Sequence, residues 1–222
     1  MSLNIDSIAG VFYGYIPFGD IVFYFTEFSL IGFIIALFFT LVVYLTKPEK
    51  QLEFQIGDFG DKLNYVSLEE LKIRRLMAIV CGICTAFAML TGDLFDYALF
   101  LAVIGIANMG IVSAVKKEGV LSAAFYYGII AMISTLPLFG ASALILAKTG
   151  TLSILELAKN SHDLLFQKII YAVGMVGETG IAPFYAAKAE MFRAPGAPYI
   201  LMIHLSSLLI IVRTVEIMLN VH

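Results

Sequence analysis

Long apolar runs divided by short polar turns dominate the chain. Their lengths predict a bundle of membrane-spanning helices. Six spans are expected, over Ile21–Leu45, Leu76–Leu90, Tyr97–Val115, Val120–Ala147, Ile169–Ala187 and Pro198–Leu219. A crossing helix needs about 20 predominantly apolar residues, so the second span is short and the fourth is long. Pro137 supplies a kink in that fourth span. Residues 1–20 mix Phe12, Tyr13, Tyr15 and Phe18 with Pro17 and Asp20, and suit an interfacial lead-in rich in aromatics.

Two polar stretches interrupt the pattern. Thr46–Arg75 holds six Lys/Arg and six Asp/Glu. Within it Ser67-x-x-Glu70 fits a capping box, so the second helix is expected to begin near Leu68. Thr151–Leu165 sets Leu152, Leu155, Leu157, Leu164 and Leu165 against Glu156, Lys159 and Asp163. That spacing suits a short amphipathic helix on the membrane surface, with His162 in its solvated part.

Composition agrees with the pattern. Of 222 residues, 60% are hydrophobic and 14% charged, with a mean hydropathy of +0.93. A soluble domain carries about 25% charge. The fold class is therefore all-α, a polytopic membrane helix bundle. It forms a single membrane domain over 1–222, bound to lipid in the cell (plasma) membrane. A net charge of −3 without a basic cluster argues against nucleic acid as a partner. No Lys or Arg precedes residue 21, so the positive region of a cleavable leader is missing.

The stretch Gly174–Ser206 concentrates the unusual chemistry. Gly174, Gly177 and Gly180 bare one helix face, so a neighbour can come close. Pro183 has no N–H and frees the carbonyl of Thr179. In lipid such a break survives only where protein or a water-filled cavity satisfies the freed group. Gly180 and Pro183 thus mark a broken helix. Glu178 stands just before the break. An ionisable side chain at that depth is a functional-site candidate, either a protonatable relay group or a structural carboxylate bonded to a partner.

Other polar residues carry paired readings. Cys81 and Cys84 read as small packing residues, with redox or metal chemistry as the alternative. Glu27 reads as an interfacial carboxylate, or as a polar group facing a partner helix. Asn108 is the polar residue of the third span. His204 reads as a relay group near the depth of Glu178, close enough for a direct or one-water link, or as a packing histidine. Lys188, Glu190 and Arg193 read as interfacial anchors, with Lys188 also an ion-path candidate. Arg213 and Glu216 share a helix face and either pair or line a mouth. No nucleophile–base pair, cofactor loop or metal cluster is evident, so neither cofactor nor metal is expected.

Lys/Arg counts set the expected orientation. The long loop, the 116–118 turn and the 188–197 turn hold ten Lys/Arg, against three on the other side. The positive-inside rule then places both termini outside and the long loop in the cytoplasm.

Several motifs together resemble one family. Ala182-Pro-Phe-Tyr185, Ala194-Pro-Gly-Ala-Pro198 and Met202-Ile-His204 follow in order. Upstream stand Thr91-Gly-Asp-Leu-Phe95 and the stretch Gly119–Leu157. The run is similar to that of the ion-translocating antiporter-like subunits of complex I, Mrp antiporters and membrane-bound hydrogenases. That family has a membrane lysine five residues before P-F-H, then a turn with A-P and P, then L-I-H. The resemblance covers about residues 76–219, an antiporter-like core. It implies broken helices lining a hydrated path and a reduced form of the family. Small membrane subunits of hydrogenase complexes are the nearest type. It also implies partner membrane and peripheral subunits, and H⁺ or Na⁺ as the ion.

The departures fall on the charged positions. Glu178 stands where the family has its lysine, Tyr185 where it has the P-F-H histidine, and Ala187 where it has tryptophan. The expected glutamate falls at or near Ala102, and a further lysine at Ile210. Only His204 keeps its place. A relay of alternating charges works because each group shifts its neighbour's titration. The ion-path reading therefore competes with a structural subunit that keeps the fold and moves no ion. A free-standing small transporter is a third, weaker reading.

Overall fold

The computed structural model describes residues 12–18, 21–46, 52–55, 62–116, 118–160, 162–181, 184–191 and 198–221. Among these residues two antiparallel hairpins accompany eight helices. The strands are β1 (Phe12–Phe18), β2 (Ile21–Thr26), β3 (Leu52–Gln55) and β4 (Lys62–Tyr65). The helices are α1 (Glu27–Leu45), α2 (Leu68–Leu90), α3 (Leu94–Ser113), α4 (Glu118–Thr149), α5 (Ile154–Lys159), α6 (Leu165–Thr179), α7 (Tyr185–Met191) and α8 (Tyr199–Asn220).

Five of these, α1, α2, α3, α4 and α8, are long and apolar enough to cross a membrane. The chain is a polytopic helical bundle. Its surface has the inside-out character of a membrane protein. On α1 the small residues Ser29, Gly32, Ala36 and Thr40 are buried, while Phe28, Ile31, Ile34, Phe38 and Leu41 are exposed. Large apolar residues lose nothing by facing lipid, and small ones let backbones approach.

Helix starts follow the caps. Ser67 Oγ accepts from Glu70 N–H at 3.2 Å, and Glu70 Oε2 accepts from Ser67 N–H at 2.8 Å. α2 therefore begins at Leu68, and the short second span is the membrane part of a 23-residue helix. Thr26 caps α1 in the same reciprocal way with Ser29. That cap starts α1 at Glu27, so Ile21–Thr26 pairs as a strand instead of extending the first span. The expected aromatic lead-in is, over Phe12–Phe18, the other strand of that hairpin.

The two ends of the bundle are defined by contacts. At one end Leu94 N–H donates to Leu152 O, Ile154 N–H to Gly92 O, and Lys168 Nζ to Met218 O at 2.9 Å. At the other, Lys116 N–H donates to Glu70 Oε1, Arg75 to Tyr44 O, and Arg74 Nε to Ile111 O at 3.1 Å. Arg74 also lies under the Tyr199 ring, at 6.0 Å from its centroid. The chain thus passes six times between the ends, five times as one continuous helix. The fifth passage is split into α6 and α7. The expected surface helix shortens to six residues, Ile154–Lys159.

The Gly-bared face of α6 is filled from within the chain. A Cβ on Gly177 would overlap Ser134 of α4, and one on Gly174 would meet Ser134 O at 2.8 Å and Leu138 Cγ at 2.7 Å. This face packs on α4 and is not the intersubunit contact that exposed small residues alone would suggest.

Candidate functional site

The break in the fifth passage builds the site. α6 ends at Gly180, which has φ 68° and ψ 39°. Gly180 N–H donates to Gly177 O at 3.3 Å, and Ile181 N–H donates to Val176 O at 3.0 Å. This is the paired arrangement that closes a helix through a left-handed glycine. Two of the four orphaned carbonyls are so satisfied. Side chains satisfy the other two. Tyr127 of α4 donates to Glu178 O at 3.3 Å, and Lys188 of α7 donates to Thr179 O at 2.7 Å. The helix end is complete without water, as the membrane interior requires. Pro183 itself lies outside the described residues.

Lys188 is the residue that sequence reasoning misplaced. It is 4% exposed, not an interfacial anchor. α7 follows the break and packs on α4, and the lysine stem runs across Gly180. A Cβ there would meet Lys188 Cβ at 2.8 Å and Cγ at 3.2 Å. The ammonium donates to Thr179 O and to Ser207 of α8, and Ser207 Oγ donates on to Ile203 O at 2.8 Å. Gly180→Ala would combine an unfavourable positive φ with that overlap. A loss of about 1–3 kcal/mol is expected, read as a lower unfolding midpoint in detergent.

Glu178 is 3% exposed, and among the described residues neither carboxylate oxygen has a hydrogen-bond partner. Its carboxylate sits where a Gly105 side chain would be, against α3. The charge of Lys188 acts on it without a direct bond. Of the expected direct or one-water link to His204, no direct hydrogen bond to the carboxylate forms among the described residues. His204 lies on an exposed face of α8, where the same lysine's charge reaches it. The charge of Lys188 therefore acts on both residues.

A further polar string leaves the site on the other side. Tyr127 reaches Asn108 of α3, and Cys81 Sγ of α2 donates to Asn108 Oδ1 at 3.2 Å. Cys81 is also within reach of Ser206 of α8. Tyr127, Asn108, Cys81 and Ser206 are all buried. Among the described residues no group of His, Cys, Asp or Glu could hold a metal ion.

The remaining candidates fall elsewhere. Tyr185 is exposed at the start of α7. Arg213 and Glu216 pair at 2.7 Å near the Leu152 end. Arg213 is fully buried and donates to Tyr24 O at 3.3 Å and Thr91 O at 3.2 Å, and Thr26 donates to Glu216. This cluster ties α8 to β2, the α1 cap and the α2–α3 turn. The side chain of Glu190 and all of Arg193 lie outside the described residues.

A polytopic helical bundle with a split passage and a completed helix break defines a multi-pass membrane protein. The chain belongs to the family described as NADH dehydrogenase I, subunit N related protein, which matches residues 4–221. Membership implies neighbouring membrane subunits in a multi-subunit complex. The chain is 72% identical over 217 residues to the uncharacterized protein MJ0522 of Methanocaldococcus jannaschii, across 98% of this chain and 100% of that one. It is 25% identical over 171 residues to the uncharacterized protein MJ1309 of the same organism, across 68% of this chain and 33% of that one.

Proposed function

We propose that this chain is an ion-path membrane subunit of an energy-converting, hydrogenase-type redox complex. It would move H⁺ or Na⁺ in step with electron transfer in partner subunits, and would not itself be catalytic. The nearest type, by the order of its motifs, is the integral membrane H subunit of energy-converting hydrogenase A of methanogenic archaea. The observation that carries the reading is the Glu178 carboxylate, buried without a hydrogen-bond partner beside Lys188. A structural carboxylate would be bonded, because an unpaired polar group in an apolar interior costs about 1–3 kcal/mol or more. A group that must bind and release a proton cannot be locked into permanent bonds. In this reading Glu178 exchanges with Lys188, and His204 continues the path. The test is ion uptake by the purified complex in vesicles, compared between wild type and Glu178→Gln. Equal uptake would leave a structural subunit. That second reading draws on Lys188, whose bonds to Thr179 O and Ser207 close the helix break.

The subunit would sit in the plasma membrane with both termini outside. In a variant without Cys81 and Cys84, a cysteine at Thr151 should react with an impermeant thiol reagent on intact cells. One at Lys116 should stay unlabelled. The opposite labelling would invert the orientation.

A further inference from the structure

The buried string of Tyr127 on α4, Asn108 on α3 and Cys81 on α2 ends on the backbone of Glu178. Tyr127 donates to Glu178 O at 3.3 Å, and the Cys81 thiol donates to Asn108 Oδ1 at 3.2 Å. Tyr127 and Asn108 bond to each other. A phenol has one proton, and that of Tyr127 goes to Glu178 O. Its bond with Asn108 is therefore one it accepts, from the amide N–H.

The direction of these bonds limits what the string can do. An amide in its middle neither takes up nor gives off a proton, so the string is not a branch of the ion path. It adds little stability either, since hydrogen bonds between membrane helices are individually weak. Its use is geometric. The carbonyl of Glu178 is among the last four of α6, so no N–H of the helix itself reaches it. Tyr127 holds that carbonyl from α4, and Asn108 keeps the hydroxyl in place. The tip of Glu178 meets α3 as well, where Oε1 takes the place of a Gly105 Cβ. Gly105 and Asn108 are three residues apart, on one face of α3. That face leaves room for the carboxylate and, through Tyr127, fixes the backbone that carries it.

We infer that Asn108 and Tyr127 are positioning residues that hold Glu178 where its carboxyl can exchange a proton. This role rests on the reading of Glu178 as a proton-exchanging group. The test is redox-triggered difference infrared spectroscopy of the purified complex with Tyr127→Phe or Asn108→Leu, following the carboxyl band that Glu178→Gln removes. Ser142→Ala is the structural comparison. Ser142 is buried on α4, about 22 Å along the helix from Tyr127 at 1.5 Å per residue, and donates to Leu138 O at 3.0 Å. The expected result is a band shifted or lost in both string variants and unchanged in Ser142→Ala. Coupled ion uptake should fall with it by up to about a hundredfold, the effect of misplacing a reacting group by about 1 Å. Should Asn108→Leu fail to fold, Tyr127→Phe decides, since it removes a single oxygen. A band present in wild type and unmoved in the string variants would overturn this role and leave the reading of Glu178 standing. A band moved equally by Ser142→Ala would also overturn it, because loss of packing would then suffice. A wild type without a Glu178 band would overturn both.

Discussion

Glu178→Gln is expected to assemble normally and to keep its partners' electron transfer to an artificial acceptor, yet to lose ion-gradient coupling. The substitution keeps shape and adds a donor where both oxygens lack partners, so the fold has no reason to suffer. What it removes is titration. A positioned proton-transfer group contributes roughly 10²–10⁴-fold to a rate, so coupled ion flux should fall by at least about a hundredfold. His204→Ala should show a milder loss, because His204 lies on an exposed face where water can stand in for it. Coupled flux like that of wild type in Glu178→Gln would remove the carboxylate from any path.

The second large effect concerns stability. Arg213→Met is expected to destabilise the subunit by about 3–5 kcal/mol, the range for breaking a buried pair from one side. Among the described residues Glu216 would keep its bond from Thr26, and the carbonyls of Tyr24 and Thr91 would lose the bonds from the Arg213 guanidinium. Against a total of about 5–15 kcal/mol this is enough to prevent accumulation in the membrane. The double change Arg213→Met with Glu216→Met should recover much of the loss, because no lone charge remains. Unfolding midpoints in detergent give the comparison. A single mutant as stable as wild type would mean that the cluster does not clamp α8 to the hairpin and the α2–α3 turn.

Much of the fold was legible because membrane helices are written in local pattern. Apolar run length located α3, α4 and α8 to within a few residues and the ends of α1 and α2, and the Ser67 and Glu70 pair placed the start of α2. Gly180 also marked the break, since a left-handed helix end selects glycine. Contacts between distant positions were not legible. Lys188 looked like an anchor because spacing cannot reveal that its stem runs across Gly180 and its ammonium reaches α8. Nor does spacing reveal that Arg74 is buried against Ile111 O and Tyr199. Gly177 announced a close neighbour without naming it, and the neighbour is Ser134 of the same chain. Cys81, Asn108 and Tyr127 come from three helices, and nothing local joins them into one polar string. Residues 1–20 read as an interfacial lead-in and Ile21–Thr26 as the start of the first span, although Phe12–Phe18 and Ile21–Thr26 pair as a hairpin.

The most direct test is redox-triggered difference infrared spectroscopy on the purified complex. It reads carboxyl protonation during turnover without depending on coupling assays. The account expects a carboxyl band that changes with the redox state in wild type and is absent in Glu178→Gln. A spectrum identical in the two proteins would contradict it, because Glu178 would then keep one protonation state throughout the cycle.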